Sequence, residues 1–197
     1  GFYQLTITDD NGCEQQLGIG LNEPQNLIAA IANTENVSCN GLCDGEIASF
    51  GAGGVAPYTF QWNDNLLQTN DTAVGLCDGN YLLTVTDDNG CKAYSNASIS
   101  EPDELSNATQ TTSADCFSAN GTSIAVPSGG TAPYQYNFDG TGLGTNDTYG
   151  NLEVGSYTLD VADDNGCTIS EIFDIESNTN PVEICVVTVN TDNQNVI

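Results

Sequence analysis

The block running from Gly1-Phe2-Tyr3 to Asp9-Asp10-Asn11-Gly12-Cys13 recurs from Gly79 to Cys91 and from Gly155 to Cys167, at steps of 78 and 76 residues. A period of that length, carrying its own cysteines, specifies one small domain per repeat rather than a short solenoid turn. Other landmarks keep the beat: Gly53-Gly54 with Gly129-Gly130, Ala56-Pro57-Tyr58 with Ala132-Pro133-Tyr134, and Thr69-Asn70-Asp71-Thr72 with Thr145-Asn146-Asp147-Thr148. Pro24, Pro102 and Pro181 follow the Cys-led stretches, the first two in Glu-Pro pairs that suit a short, stiff joint. The organisation expected is a closing fragment of a preceding repeat at 1–24, complete repeats at 25–102 and 103–180, and a different module beginning at 181–197. The last boundary follows from spacing, because Pro24 and Pro102 precede the next cysteine by 15 and 14 residues whereas Pro181 precedes Cys185 by 4.

Within each period the apolar residues alternate. Tyr58, Phe60 and Trp62 in one copy match Tyr134, Tyr136 and Phe138 in the other, and the run after Gly-x-Tyr repeats the pattern as Tyr81, Leu83, Val85 and Tyr157, Leu159, Val161. Period-two alternation marks strands with one buried face, and no stretch shows helical periodicity. Short runs split by Gly, Asn and Asp every 8 to 12 residues predict an all-β fold of tandem Ig-like antiparallel β-sandwiches, about seven strands per repeat, strung end to end. In the second period strands are expected near Leu27 to Asn33, Glu46 to Phe50, Tyr58 to Asn63, Thr72 to Leu76, Tyr81 to Asp87 and Lys92 to Ser100. The Asp-Asn-Gly blocks are the tips joining the last two strands. A lone hairpin the size of residues 1–24 buries no useful core, so its partner strands are expected to precede residue 1.

Eight cysteines, no histidine and no metal-type Cys-x-x-Cys pair point to disulfides and an oxidising, extracytoplasmic setting. Taking Cys39 and Cys91 to lie at the same pole of the domain, strand direction pairs Cys39 with Cys91 and Cys116 with Cys167, each closing a loop worth roughly 4 kcal/mol. A rival scheme, Cys13 with Cys39 and Cys91 with Cys116, needs a folded-back joint. Cys43 and Cys77, each followed by Asp-Gly, form a further local bridge, leaving Cys13 and Cys185 over.

Lys92 is the sole basic residue against 27 acids, a net charge of −26, which makes nucleic acid and anionic membrane poor partners. The acids are spread along both periods, so they form a solvated coat rather than a tail. No apolar run approaches the ~20 residues that cross a bilayer, so direct membrane insertion is not expected.

Clustered carboxylates invite a calcium reading for Asp9, Asp10 and Asn11, for Asp87, Asp88 and Asn89, and for Asp163, Asp164 and Asn165. Asn-Gly is also the favoured hairpin tip, and each block sits where a hairpin must turn, so the turn is the stronger reading and no cofactor is expected. Trp62 could offer a sugar-stacking platform, but its in-register alternation fits a core. With no imidazole base, no Gly-x-Ser-x-Gly and no Ser-x-x-Lys, the chain is not expected to be an enzyme. Asn36, Asn70, Asn96, Asn107, Asn120 and Asn146 sit in Asn-x-Ser/Thr triplets, the pattern of glycan acceptors; the recurrence of Asn70 and Asn146 in one slot marks an exposed turn and makes these two the asparagine candidates for glycosylation.

In order, Cys39-x-x-x-x-Asp44-Gly45, Gly53-Gly54-x-x-Pro57-Tyr58, Gly79-x-Tyr81 and Asp87-x-Asn89-Gly90-Cys91 resemble the SprB-type repeat of very large surface adhesins of gliding Bacteroidota. Asn120-Gly121 replaces Asp44-Gly45 in the next period. The resemblance implies export by the type IX system, an outer-membrane-attached extracellular filament, adhesion during gliding, and no catalytic residues. It also implies O-glycans on Asp-Thr-x triplets, hence Thr72 and Thr148. The function expected is a structural stalk whose partners are further repeats of the same chain, with extracellular polysaccharide or solid surfaces beyond them. Two alternatives stay open: a polysaccharide-binding module, and a self-assembling fibre subunit completed by a neighbour's strands.

Overall fold

A computed structural model describes residues 1–178 and contains strands and turns with no helix among them. The expected module at 181–197, with Pro181 and Cys185, lies outside the described residues. The chain divides into two units: Gly1–Asn36 with Cys43–Ser100, and Val37–Leu42 with the chain from Glu101 onward.

In the first unit Phe2–Thr8 (β1) and Glu14–Gly20 (β2) form an antiparallel hairpin with Leu5 opposite Leu17 and Tyr3 opposite Ile19. Its apolar side chains Tyr3, Leu5, Ile7, Leu17 and Ile19 are all exposed. Alternation alone buries nothing without a second layer. That layer exists for the six strands that follow. Ile28–Glu35 (β3), Gly45–Ala52 (β4) and Thr72–Leu76 (β6) make one antiparallel sheet with β4 central; Thr59–Trp62 (β5), Gly79–Thr86 (β7) and Lys92–Ile99 (β8) make the other with β7 central. The inward residues of the alternating runs, Ile47, Trp62, Leu83, Val85 and Ile99, are buried, and Trp62 Nε1 donates to the Asn70 carbonyl at 3.0 Å. The result is the Ig-like sandwich, with six strands where about seven were expected.

The second unit repeats the plan with shorter pieces: Ser106–Asn107 (β9), Gln110–Thr112 (β10), Gly121–Ile124 (β11), Pro127–Ser128 (β12), Gln135–Phe138 (β13), Thr148–Leu152 (β14), Gly155–Ala162 (β15) and Thr168–Ile175 (β16). Here β3 becomes β9 and β10, and β4 becomes β11 and β12. The break in the first edge falls at Ala108 and Thr109, one period on from the irregularity between Ile31 and Asn33 in β3. Pro127, at the position of Gly51, has no N–H to give to a ladder. The core gathers Phe138, Leu152, Leu159, Val161, Phe173 and Ile175, with Phe138 stacked on Tyr149 at 4.9 Å between ring centres.

Strand direction fixes where the cysteines fall. Leu27, before β3, and Lys92, at the start of β8, line one cleft. At the other ends of the same strands, Asn36 Oδ1 accepts from Ser100 N at 3.0 Å. β3 and β8 therefore run the same way, and in the second unit Ala114 and Ser177 form a parallel bridge at the matching place. The residue after β3 and the residue before β8 are separated by the length of an eight-residue strand, roughly 25 Å at ~3.3 Å per residue.

Candidate docking cleft at the Asn-Gly-Cys turn

Each Asp-Asn-Gly-Cys block folds around its first aspartate. Asp9 Oδ1 accepts from Asn11 N and Cys13 N, both at 2.9 Å; Asp163 Oδ1 accepts from Asn165 N at 3.0 Å and Cys167 N at 2.8 Å; Asp87 Oδ1 accepts from Cys91 N at 2.8 Å. In the two sandwiches the second oxygen reaches further, from Asp87 Oδ2 to Val55 N at 3.0 Å and from Asp163 Oδ2 to Thr131 N at 2.8 Å. Burial by itself would raise the Asp87 carboxyl, but the N–H groups of Val55, Cys91 and Asn89 outweigh it and hold it below the usual carboxylate range.

Those second bonds tie the turn to the glycine pair. Gly54 N donates to Gln25 O at 2.8 Å and Gly130 N to Asp103 O at 2.7 Å, so the segment after each Glu-Pro is held against the same turn. Gly53 and Gly129 both sit at φ 72°, and a Cβ there would collide with the carbonyls of Asn26 and Glu104. Only glycine combines that backbone angle with that approach. The two hooks leave, in the first unit, a cleft of about 560 Å³ whose walls include Glu23, Pro24, Asn89, Cys91 and Lys92.

In the second unit the matching residues hold the segment Val37–Leu42. Glu101 Oε2 accepts from Gly41 N at 2.7 Å, Pro102 O accepts from Asn40 Nδ2 at 3.0 Å, and Asn165 Nδ2 donates to Ser38 O at 2.8 Å. Cys39 is joined to Cys167, their Cα atoms 5.8 Å apart. This corrects both pairings argued from sequence, Cys39 with Cys91 and Cys116 with Cys167. The error was one of direction: Cys39 follows β3 and Cys91 precedes β8, and those strands run the same way, so the two sulfurs lie at opposite poles. Cys91 is a free, exposed thiol, as is Cys13, while Cys116 is disulfide-bonded but not to Cys167. Cys43 is joined to Cys77.

Among the described residues no three His, Cys, Asp or Glu side chains converge as a metal would require. The first carboxylate of each block takes backbone N–H groups, while Asp10, Asp88, Asp164 and the three asparagines Asn11, Asn89 and Asn165 are exposed. Asn70 and Asn146 are exposed, Thr148 is exposed and Thr72 half-buried; both threonine hydroxyls donate to the preceding aspartate, at 3.2 Å for Thr72 and 3.0 Å for Thr148. The sequence reading missed the hold of Glu101 on Gly41 N, its Glu-Pro context having suggested a joint alone. It also missed Asp64: burial raises its carboxyl, and donation from Gln68 and Leu66 brings it below the usual range.

No curated protein matches the chain. Among solved structures, the N-terminal eight Ig domains of Down Syndrome Cell Adhesion Molecule (DSCAM) isoform 1.30.30 align at 15% identity over 87% of this chain and 26% of that one, with a TM-score of 0.40. The tetra-tandem repeat in the extending region of a large adhesion protein aligns at 14% identity over 90% and 56%, TM-score 0.26, and murine CEACAM1b at 12% over 78% and 99%, TM-score 0.30. The chain thus spans 26% of the first and 56% of the second. Residues 31–67 match the family model described as the SprB repeat, so the resemblance carried by Cys39, Asp44-Gly45, Gly53-Gly54 and Pro57-Tyr58 holds for that stretch of the chain.

Proposed function

We propose that these repeats form the shaft of a cell-surface adhesin, a non-enzymatic stalk that sets reach. The observation that carries the reading is that one turn, with the same aspartate lock and the same glycine hook, is built twice, at Asp87 and at Asp163. The SprB match at residues 31–67, the disulfides and the acidic coat fit an exported, solvated array. On this reading the repeats run from 25 to 102 and from 103 to 180, residues 1–24 carry the same closing hairpin, and the molecule acts outside the cell in adhesion and gliding.

Electron microscopy of polypeptides carrying two, four and eight repeats tests it. A shaft lengthens in proportion to repeat number, by roughly 35 Å per repeat as strand rise and turns allow. Particles whose longest dimension stays constant from two repeats to eight would overturn it.

A further inference from the structure

We propose that the cleft around Cys91 is a covalent docking site for the Ser-Cys-Asn-Gly type loop of a further repeat. The argument is internal to the chain. Four groups hold Val37–Leu42 in the second unit: the Glu101 carboxylate, the Pro102 carbonyl, the Asn165 amide and the Cys167 sulfur. Stepping back one period gives Glu23, Pro24, Asn89 and Cys91, and all four line the cleft of about 560 Å³ in the first unit. The aspartate that presets the turn is in place as well, with Asp87 holding Cys91 N at 2.8 Å as Asp163 holds Cys167 N at 2.8 Å. Cys91 differs from Cys167 in one respect: its sulfur is a free, exposed thiol.

The occupant is defined by the same comparison. It offers a backbone carbonyl to the Asn89 amide, a backbone N–H to the Glu23 carboxylate, a side-chain amide to the Pro24 carbonyl, and a thiol to Cys91. Cys39 and Cys43, between β3 and β4, and Cys116, in the equivalent loop between β10 and β11, are already disulfide-bonded, so the loop comes from another repeat. Bond formation needs a disulfide oxidant, for which oxidised glutathione serves. The Cys91 thiolate attacks one glutathione sulfur and expels reduced glutathione; the loop thiolate then attacks the Cys91 sulfur and expels the second. Two protein thiols are oxidised, one glutathione disulfide is reduced, and both thiol protons leave with the glutathiones. The site stands apart from the shaft reading, and either can fail without the other.

The test uses the whole chain and the hexapeptide Val-Ser-Cys-Asn-Gly-Leu in a glutathione redox buffer, with a scrambled hexapeptide of the same composition beside it. Cys13 is a built-in reference, a free thiol after the same Asp-Asn-Gly turn. Mass mapping of the mixed disulfides is expected to show the native peptide on Cys91 about tenfold faster than the scrambled one, the effect of one to two added hydrogen bonds. Cys13 should not distinguish the peptides, and Asn89→Ala with Glu23→Gln should erase the preference at Cys91. Equal rates of both peptides at Cys91, or a preference untouched by those two substitutions, would overturn the proposal.

Discussion

The carboxylate of Asp163 accepts N–H groups from Thr131, Asn165 and Cys167, whereas Asp164 beside it is exposed and uses only its backbone, donating to Thr131 O at 2.8 Å. Asp163→Ala strands three donors at a buried position, and the expected loss is about 2 to 3 kcal/mol in chemical denaturation. Asp164→Ala should change stability by less than about 0.5 kcal/mol. Equal effects would refute the lock. The matching Asp87 carries the pH signature. Its folded value lies below the ordinary one of about 4, so its contribution is complete above about pH 4 and is lost as pH falls through the depressed value. Urea midpoints measured from neutral to acid pH should therefore fall less steeply below about pH 4 for Asp87→Asn than for the unaltered chain. A second residue argues the other way. Ser123 is fully buried and its hydroxyl has no hydrogen-bond partner, while Ile47 fills the same slot one period earlier. Ser123→Val removes an unpaid polar group and adds packing, so it should gain about 1 kcal/mol and raise the melting temperature by a few degrees.

At the scale of elements, the strands were legible because alternation and turn chemistry agree: each of the six runs expected between Leu27 and Ser100 overlaps one of β3 to β8. The hairpin tips were legible for the same reason, since Asn-Gly supplies positive φ at Gly90 and Gly166, 82° at each. The Gly53-Gly54 and Gly129-Gly130 pairs were visible as landmarks, but their purpose was not. Their constraint is a tertiary one, the carbonyl of a segment some twenty-five residues away, which no local pattern encodes. Gly129→Ala should therefore cost more than the ~1 kcal/mol of an ordinary positive-φ glycine, on the order of 2 kcal/mol or more, because Glu104 must move as well. Gly140→Ala, at φ 76° with open space around its Cβ position, is the control that should show only the conformational part. If the two variants lose the same stability by calorimetry, the hook contributes nothing. The cysteine pairing failed for a related reason. Spacing sets which cysteines are equivalent, yet the direction of β8 relative to β3 decides which pole each one occupies, and that direction is a property of the folded sandwich.

At the scale of the whole molecule, each unit contains its own disulfide, Cys43 to Cys77 in the first and Cys39 to Cys167 in the second. A charge of −26 with one lysine adds self-repulsion that such cross-links offset, so their removal should be felt strongly. The chain-entropy model assigns roughly 3.8 kcal/mol to the 34-residue separation of the first and about 5 kcal/mol to the 128-residue separation of the second. Two units also mean two transitions rather than one. Trp62 is the single tryptophan and is buried in the first unit, so its fluorescence follows that unit alone, whereas far-ultraviolet circular dichroism follows both. Replacing Cys43 and Cys77 together by serine should move the fluorescence midpoint to lower denaturant and leave the other transition in place. Replacing Cys39 and Cys167 together should do the reverse, displacing a dichroism transition that the tryptophan does not report. If the second pair of substitutions shifts the Trp62 midpoint as far as the first pair does, Cys39 belongs to the first unit's stability and the assignment of Val37–Leu42 to the second unit is wrong.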